Sequence, residues 1–131
     1  MAGPLHSILN VEDDEDIAEV AVMTLEMLGG FRVVHCASGC AALERFAAEA
    51  PQLVLMDVMM PGMDGPETLR RLREMPGAAR SVPVIFMTAR AQVHEQAAYR
   101  SLGALGVIVK PFDPDRLTAE ITTLWESHDA P

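Results

Sequence analysis

Cysteine is scarce in this chain: Cys36 and Cys40 are the only two in 131 residues. They form no Cys-x-x-Cys, so a disulfide framework or a redox pair is not indicated, and both are expected to be reduced, half-buried packing residues. The four histidines, His6, His35, His94 and His128, are scattered without metal-ligand spacing and carry no assigned chemistry. No apolar run is long enough to span a bilayer. The opening residues Met-Ala-Gly-Pro-Leu-His lack a basic and an apolar signal region, so a cytoplasmic protein without membrane insertion is expected. Basic residues are also few, 10 Lys and Arg against 19 Asp and Glu, for a net charge of -9. Direct nucleic-acid binding is therefore not expected. Such acidity suits a divalent cation or a basic partner surface, although plain solubility is the simpler reading. Repeats, linkers, low-complexity segments and Gly-rich phosphate loops are missing too.

What is present is enough apolar material for a core. Half the residues are hydrophobic, and the length indicates one domain over residues 1–131, with its core at about 5–127. The organising stretch is Leu-Val-Leu-Met-Asp-Val-Met-Met-Pro, residues 53–61. Its first four residues are a short apolar run between Pro51 and Pro61-Gly62, as in a strand buried on both faces. Asp57 ends the run. In open parallel sheets ligands bind outside the carboxyl ends of the strands. Alone, Asp57 would more simply begin a turn.

In chain order, residues 7–11 read as the first strand, and the acidic cluster Glu12-Asp13-Asp14-Glu15-Asp16 follows at once. A helical pattern runs from Ile17 through Leu28 to Gly29-Gly30. Helix capping accounts for Asp14 to Asp16 but less well for Glu12 and Asp13, which sit on the end of an apolar strand. Residues 31–36 are a second strand. Ser38 can cap a helix with Leu43, Phe46, Ala47 and Ala50 on its apolar side, ended by Pro51. Asp64-Gly65-Pro66-Glu67 has the form of a capping box with proline in the first turn. The helix it opens points Leu69 and Leu72 inward and Arg70, Arg71 and Arg73 outward. Residues 82–87 form a fourth strand ending at Thr88. The next helix, about 91–102, is weakly apolar, with Ala97, Ala98 and Leu102 as core candidates, and is easily displaced. Residues 105–109 are a fifth strand ending at Lys110-Pro111. Asp113 caps a last helix with Pro114 at its start and Leu117, Ile121 and Leu124 inward, and a frayed tail is expected from residue 127. Strands and helices alternating in this way predict an α/β fold, a doubly wound (βα)5 domain with right-handed crossovers.

In a parallel sheet the strand ends share an edge. That edge would carry Glu12 and Asp13, Asp57, Thr88 and Lys110. Crowded carboxylates repel and raise one another's pKa. A hard divalent cation relieves this, and Mg²⁺ takes one or two carboxylates while keeping waters. The Lys110 ammonium and the Thr88 hydroxyl could hold an anion. Together these are the parts that phosphoryl transfer uses.

At these residues the chain resembles the receiver domain of two-component response regulators, including the single-domain chemotaxis regulator. The matching stretches are Ile-Leu-Asn-Val-Glu-Asp-Asp-Glu-Asp-Ile (8–17), Leu-Met-Asp-Val-Met-Met-Pro-Gly-Met-Asp-Gly (55–65), Pro-Val-Ile-Phe-Met-Thr-Ala (83–89) and Val-Lys-Pro-Phe (109–112). Each motif alone is modest; four in order at strand ends are specific. The resemblance implies a flavodoxin-like sheet in the order 2-1-3-4-5. It implies Asp57 as acceptor of a phosphoryl group from a sensor histidine kinase or histidine phosphotransfer protein. It implies Mg²⁺ held by Asp13, Asp57 and the backbone carbonyl of Met59, with Glu12 close by. Thr88 would hydrogen-bond the phosphoryl group, Lys110 would ion-pair with it, and the Lys110-Pro111 peptide would be cis. A downstream protein target would dock on the face of helix 4, strand 5 and helix 5.

One departure matters. Three residues before the lysine the family usually has Tyr or Phe, and here Val107 stands there, which puts the aromatic half of the usual switch in doubt. Met59, Met60 and Met63 read as packing or loop residues, with a soft partner surface as the functional alternative. The chain ends just past the last helix, so a stand-alone regulator or phosphorelay shuttle, not an enzyme with separate turnover, is the leading expectation. A receiver cut from a hybrid kinase or larger regulator would look the same. A Mg²⁺-dependent phosphatase with an aspartyl-phosphate intermediate would share Asp57, Thr88 and Lys110, but it would want an Asp where Met59 stands. A flavodoxin-like cofactor binder would need a phosphate loop and an aromatic stacking pair.

Overall fold

The acidic cluster and the other polar punctuation act as local stops and starts. Asp14 caps the first helix by accepting from the backbone N–H groups of Asp16 and Ile17 at 3.0 and 3.2 Å. Ser38 accepts from Ala41 N at 3.1 Å, Asp64 from Glu67 N at 2.9 Å and Asp113 from Asp115 N at 2.9 Å. Each opens a helix by satisfying backbone donors that have no partner within it. The capping box at Asp64 is half made, because the Glu67 carboxylate turns to Arg70 and Arg71.

The structure, a computed structural model, describes residues 3–90 and 92–128. In order come β1 (Ser7–Val11), α1 (Glu15–Met27), β2 (Arg32–Cys36), α2 (Gly39–Glu49), β3 (Leu53–Asp57), α3 (Gly65–Glu74), a 3-10 turn (Gly77–Arg80), β4 (Val84–Thr88), α4 (Val93–Ser101), β5 (Gly106–Val109) and α5 (Pro114–His128). All pairings are parallel and the sheet order is β2-β1-β3-β4-β5. The expected (βα)5 flavodoxin-like architecture is therefore present.

Strand alternation sends side chains to two separate layers. Leu9, Val11, Val54, Met56 and Phe86 meet α2 and α3 through Phe46, Leu69 and Leu72. Ile8, Leu53, Leu55, Ile85, Met87 and Ile108 meet α1 and α5 through Ala21, Leu25, Leu117 and Ile121. Every residue of β3 is buried, which fixes the central strand and holds Asp57 at its end. Gly65 is required by close approach: a Cβ there would lie 2.5 Å from the Asp57 carbonyl oxygen, so the α3 N-terminus seats directly against the end of β3.

Several local expectations are corrected. None of the described residues of α4 is buried; Ala97, Ala98 and Leu102 are exposed, and Tyr99 packs against the core instead. Ala47 and Ala50 of the second helical segment are exposed, while Gly39 and Ala42 are buried. Arg73 is half-buried and donates to the Ala79 carbonyl at 3.1 Å. Cys36 is buried and Cys40 exposed. Helix α5 continues through Ser127 to His128, and Trp125, absent from the expected core, is buried and donates its indole N–H to the Gly3 carbonyl at 2.9 Å. The expected helix start at Ala91 and the tail at 129–131 lie outside the described residues.

Candidate functional site

The register brings the strand ends to one edge: Val11 pairs with Met56, Asp57 with Met87, and Thr88 with Val109. Glu12 and Lys110 follow β1 and β5 directly. Carboxylate oxygens of Glu12, Asp13 and Asp57 lie within 4.8 Å of one another. Glu12 and Asp57 are buried, at 2% and 5% exposure, and Asp13 is exposed. The Lys110 ammonium crosses the edge to reach Glu12 Oε1 at 2.7 Å and Asp57 Oδ1 at 3.1 Å. Oxygen-only ligands with one side open to solvent fit a hard cation that keeps part of its water shell, as Mg²⁺ does.

Thr88, at 1% exposure, closes β4, and its Oγ1 accepts from Arg90 N at 3.0 Å. That bond uses an oxygen lone pair and leaves the hydroxyl proton free to donate. Met59 lies on the loop after β3, exposed, with its N–H 3.4 Å from Asp57 Oδ1, while Met60 is buried in the core. The Lys110–Pro111 peptide is cis. The structure thus gathers Glu12, Asp13, Asp57 and Lys110 into one cluster and sets Thr88 and Met59 at its flanks.

Burial pushes the Glu12 carboxyl up to about 7; the Lys110 bond opposes this, and the neighbouring Asp57 adds to it. For Lys110, burial alone would lower the ammonium, but its bonds and attraction to Glu12 and then Asp57 outweigh that and raise it. Without metal, the folded protein therefore keeps a proton on Glu12 through a pH range in which the unfolded chain has lost it. Stability contributed by that proton is present at low pH and is lost as pH rises from about 4.5 through about 7. Between pH 5 and 8 the metal-free wild type should lose on the order of 2 kcal/mol of stability relative to Glu12→Gln. Urea unfolding at both pH values measures this, and parallel profiles would refute it.

Two contributors were missed from sequence. His35 of β2 contacts the Glu12 carbonyl through Nε2 at 2.8 Å, which ties the end of β1 to its neighbour. Asn10, 1% exposed, is the one polar residue inside the apolar run of β1. The signal for it was an amide in a segment otherwise reading as buried strand.

Comparison with known proteins agrees with this geometry. A sequence profile described as the response regulator receiver domain matches residues 8–122. The transcriptional regulatory protein CseB of Streptomyces coelicolor is 40% identical over 121 residues, covering 92% of this chain and 49% of its own length. The response regulator Rre1 of Synechocystis is 36% identical over 130 residues, covering 99% and 55%. The solved structure of the chemotaxis protein CheY4 of Vibrio cholerae superimposes with a TM-score of 0.83 at 26% identity, covering 92% of this chain and 99% of that one. The chain spans about half the length of the curated relatives it matches.

Proposed function

Since this chain belongs to the response regulator receiver domain family, we propose that it takes a phosphoryl group onto Asp57, with Mg²⁺, from a histidine kinase or histidine phosphotransfer protein. The observation that carries this reading is the Asp57 carboxylate, buried at the end of β3 with an ammonium 3.1 Å away and two further carboxylates beside it. In the step, an Asp57 carboxylate oxygen attacks phosphorus, the P–N bond to the donor imidazole breaks, and the nitrogen leaves with the electron pair. Lys110 neutralises charge on the phosphoryl oxygens, and the Thr88 hydroxyl donates to one of them. Glu12, Asp13, Asp57 and the Met59 carbonyl would hold Mg²⁺, which when bound neutralises the equatorial oxygens of the transferring group. Intact-mass spectrometry after incubation with a small phosphodonor and Mg²⁺ tests the reading: one added phosphoryl group is expected.

The family role is signalling, and the phosphorylated domain would act by changing its affinity for a protein target on the face of α4, β5 and α5. The domain would serve either alone or as one part of a longer regulator. The match covers 99% of the solved CheY4 chain and 49% of CseB, so each arrangement has a counterpart in extent. Any output of such a longer protein, including DNA binding, would come from its other part.

Val107 makes the route of the change unusual. It is half-buried on β5 and, as a β-branched strand residue, has few rotamers to exchange. Tyr99 of α4 instead stands edge-on to Phe86, with ring centroids 5.5 Å apart and planes at 66°. Phe86 is two residues before Thr88 on the same strand face. A Thr88 drawn toward the phosphoryl group would therefore be felt at Phe86 and Tyr99, the ring that anchors an otherwise unburied α4. Phosphorylation should shift backbone NMR signals strongly from Thr88 to Arg90 and along α4, while the Val107 methyls keep one rotamer. A rotamer change at Val107 with α4 unaffected would overturn this route.

A further inference from the structure

Asn10 lies on the floor of the acidic pocket. Ile8 belongs to the layer under α1 and α5, and Leu9 and Val11 to the other, so alternation puts Asn10 on the face of Ile8 and Glu12, one pleat below Glu12. Its register partner on β3 is Leu55, two residues before Asp57. Its neighbours on that face from β1 and β3, Ile8, Leu53 and Leu55, are apolar and fully buried, and its partner on β2 is the half-buried His35, whose Nε2 is taken by the Glu12 carbonyl. The Asn10 amide nitrogen makes a long 3.4 Å bond to the Leu55 carbonyl, and Oδ1 is buried with no hydrogen-bond partner among the described residues. A buried, unpaired amide oxygen costs folding free energy that an apolar side chain of the same branching would not. Asparagine is also a poor strand former, so nothing local favours it there. The position makes sense if the oxygen accepts a hydrogen bond in the working pocket.

We infer that Asn10 is a positioning residue for the phosphoacceptor pocket: its amide oxygen accepts from an ordered water that also donates to the Glu12 carboxylate, holding Glu12 for the divalent cation. A buried water needs about two to four polar partners. This one would donate its two O–H groups to Asn10 Oδ1 and Glu12. It would accept the third N–H of Lys110, whose other two are directed at Glu12 and Asp57. Outer groups of this kind orient the ligands themselves, and their loss typically weakens metal binding about 10- to 100-fold. The inference rests on reading the pocket as a Mg²⁺ site.

Titration calorimetry of Mg²⁺ into wild type, Asn10→Leu and Asn10→Thr tests it, with the metal-free Tm measured alongside. Asn10→Leu should raise the Mg²⁺ Kd about tenfold. Its Tm should match or exceed that of wild type, because a buried polar group and the water it immobilises are replaced by apolar surface. Asn10→Thr, which keeps an acceptor at similar volume, should recover most of the affinity. Equal Kd values in wild type and Asn10→Leu would overturn the inference and leave the pocket reading intact. A wild type that binds no Mg²⁺ would overturn the pocket reading itself. Should Asn10→Leu fail to fold, Asn10→Ala against Asn10→Thr gives the same comparison, and equal affinities there overturn the inference too.

Discussion

Asp57→Ala is expected to take up no phosphoryl group under conditions in which the wild-type protein takes up one. The loss should be complete, because the substitution removes the attacking oxygen and leaves Glu12 as the main partner of the Lys110 ammonium. Glu12 cannot substitute readily. Its carboxylate is buried at 2% exposure and stays engaged by the Lys110 ammonium at 2.7 Å, which blunts it as a nucleophile. Asp13 stands exposed at the rim, away from the ammonium's two contacts. The variant should still fold: Lys110 keeps Glu12, and removing Asp57 takes away a neighbour that pushes the Glu12 pKa up. Intact-mass spectrometry of both proteins decides. Labelling that persists in Asp57→Ala would mean that the acceptor is another residue of the cluster.

The second large effect is expected at Asp13. Asp13→Ala should weaken Mg²⁺ binding by more than the roughly 10- to 100-fold typical of losing an outer-shell group, since a direct ligand is lost from a site with few protein ligands. Phosphorylation should fall with it. Asp16→Ala is the control. Asp16 sits only three residues away, but in the first turn of α1, where its backbone N–H donates to the Asp14 cap. Its carboxylate favours the helix N-terminus by about 0.3–1 kcal/mol, so Asp16→Ala should lose a little stability and no metal affinity. Mg²⁺ titrations of the two variants separate ligand from helix residue within one acidic run; equal losses would sink that division.

The division of the run between pocket and cap was legible in sequence because both roles are local. A cap needs a short polar side chain directly before an apolar helical pattern, and Asp14, Ser38, Asp64 and Asp113 all announce themselves this way. The same holds for the strand ends. Asp57 and Thr88 close runs of wholly apolar residues, and that alone marks where a buried chain surfaces. Faces were harder to read. Ala97 and Ala98 are indistinguishable in composition from packed alanines, and only the orientation of α4, which turns Tyr99 to the core, leaves them in solvent.

From the order of its residues alone, this chain determined its elements, their alternation, its caps and the four polar strand ends that share one edge of the sheet. These follow from periodicity and backbone satisfaction over a few neighbouring residues. The tertiary structure decided everything that depends on what comes together across the sheet. Lys110 meets Glu12 and Asp57 from strands far apart in sequence, and burial of that cluster, more than crowding of its charges, lifts the Glu12 carboxyl. Trp125 finds the Gly3 carbonyl 122 residues away. Asn10 carries a buried oxygen that no described residue pairs, set beside Ile8, Leu53 and Leu55 on two neighbouring strands. Solvation and long-range pairing are properties of the packed layers, and no local pattern encodes them.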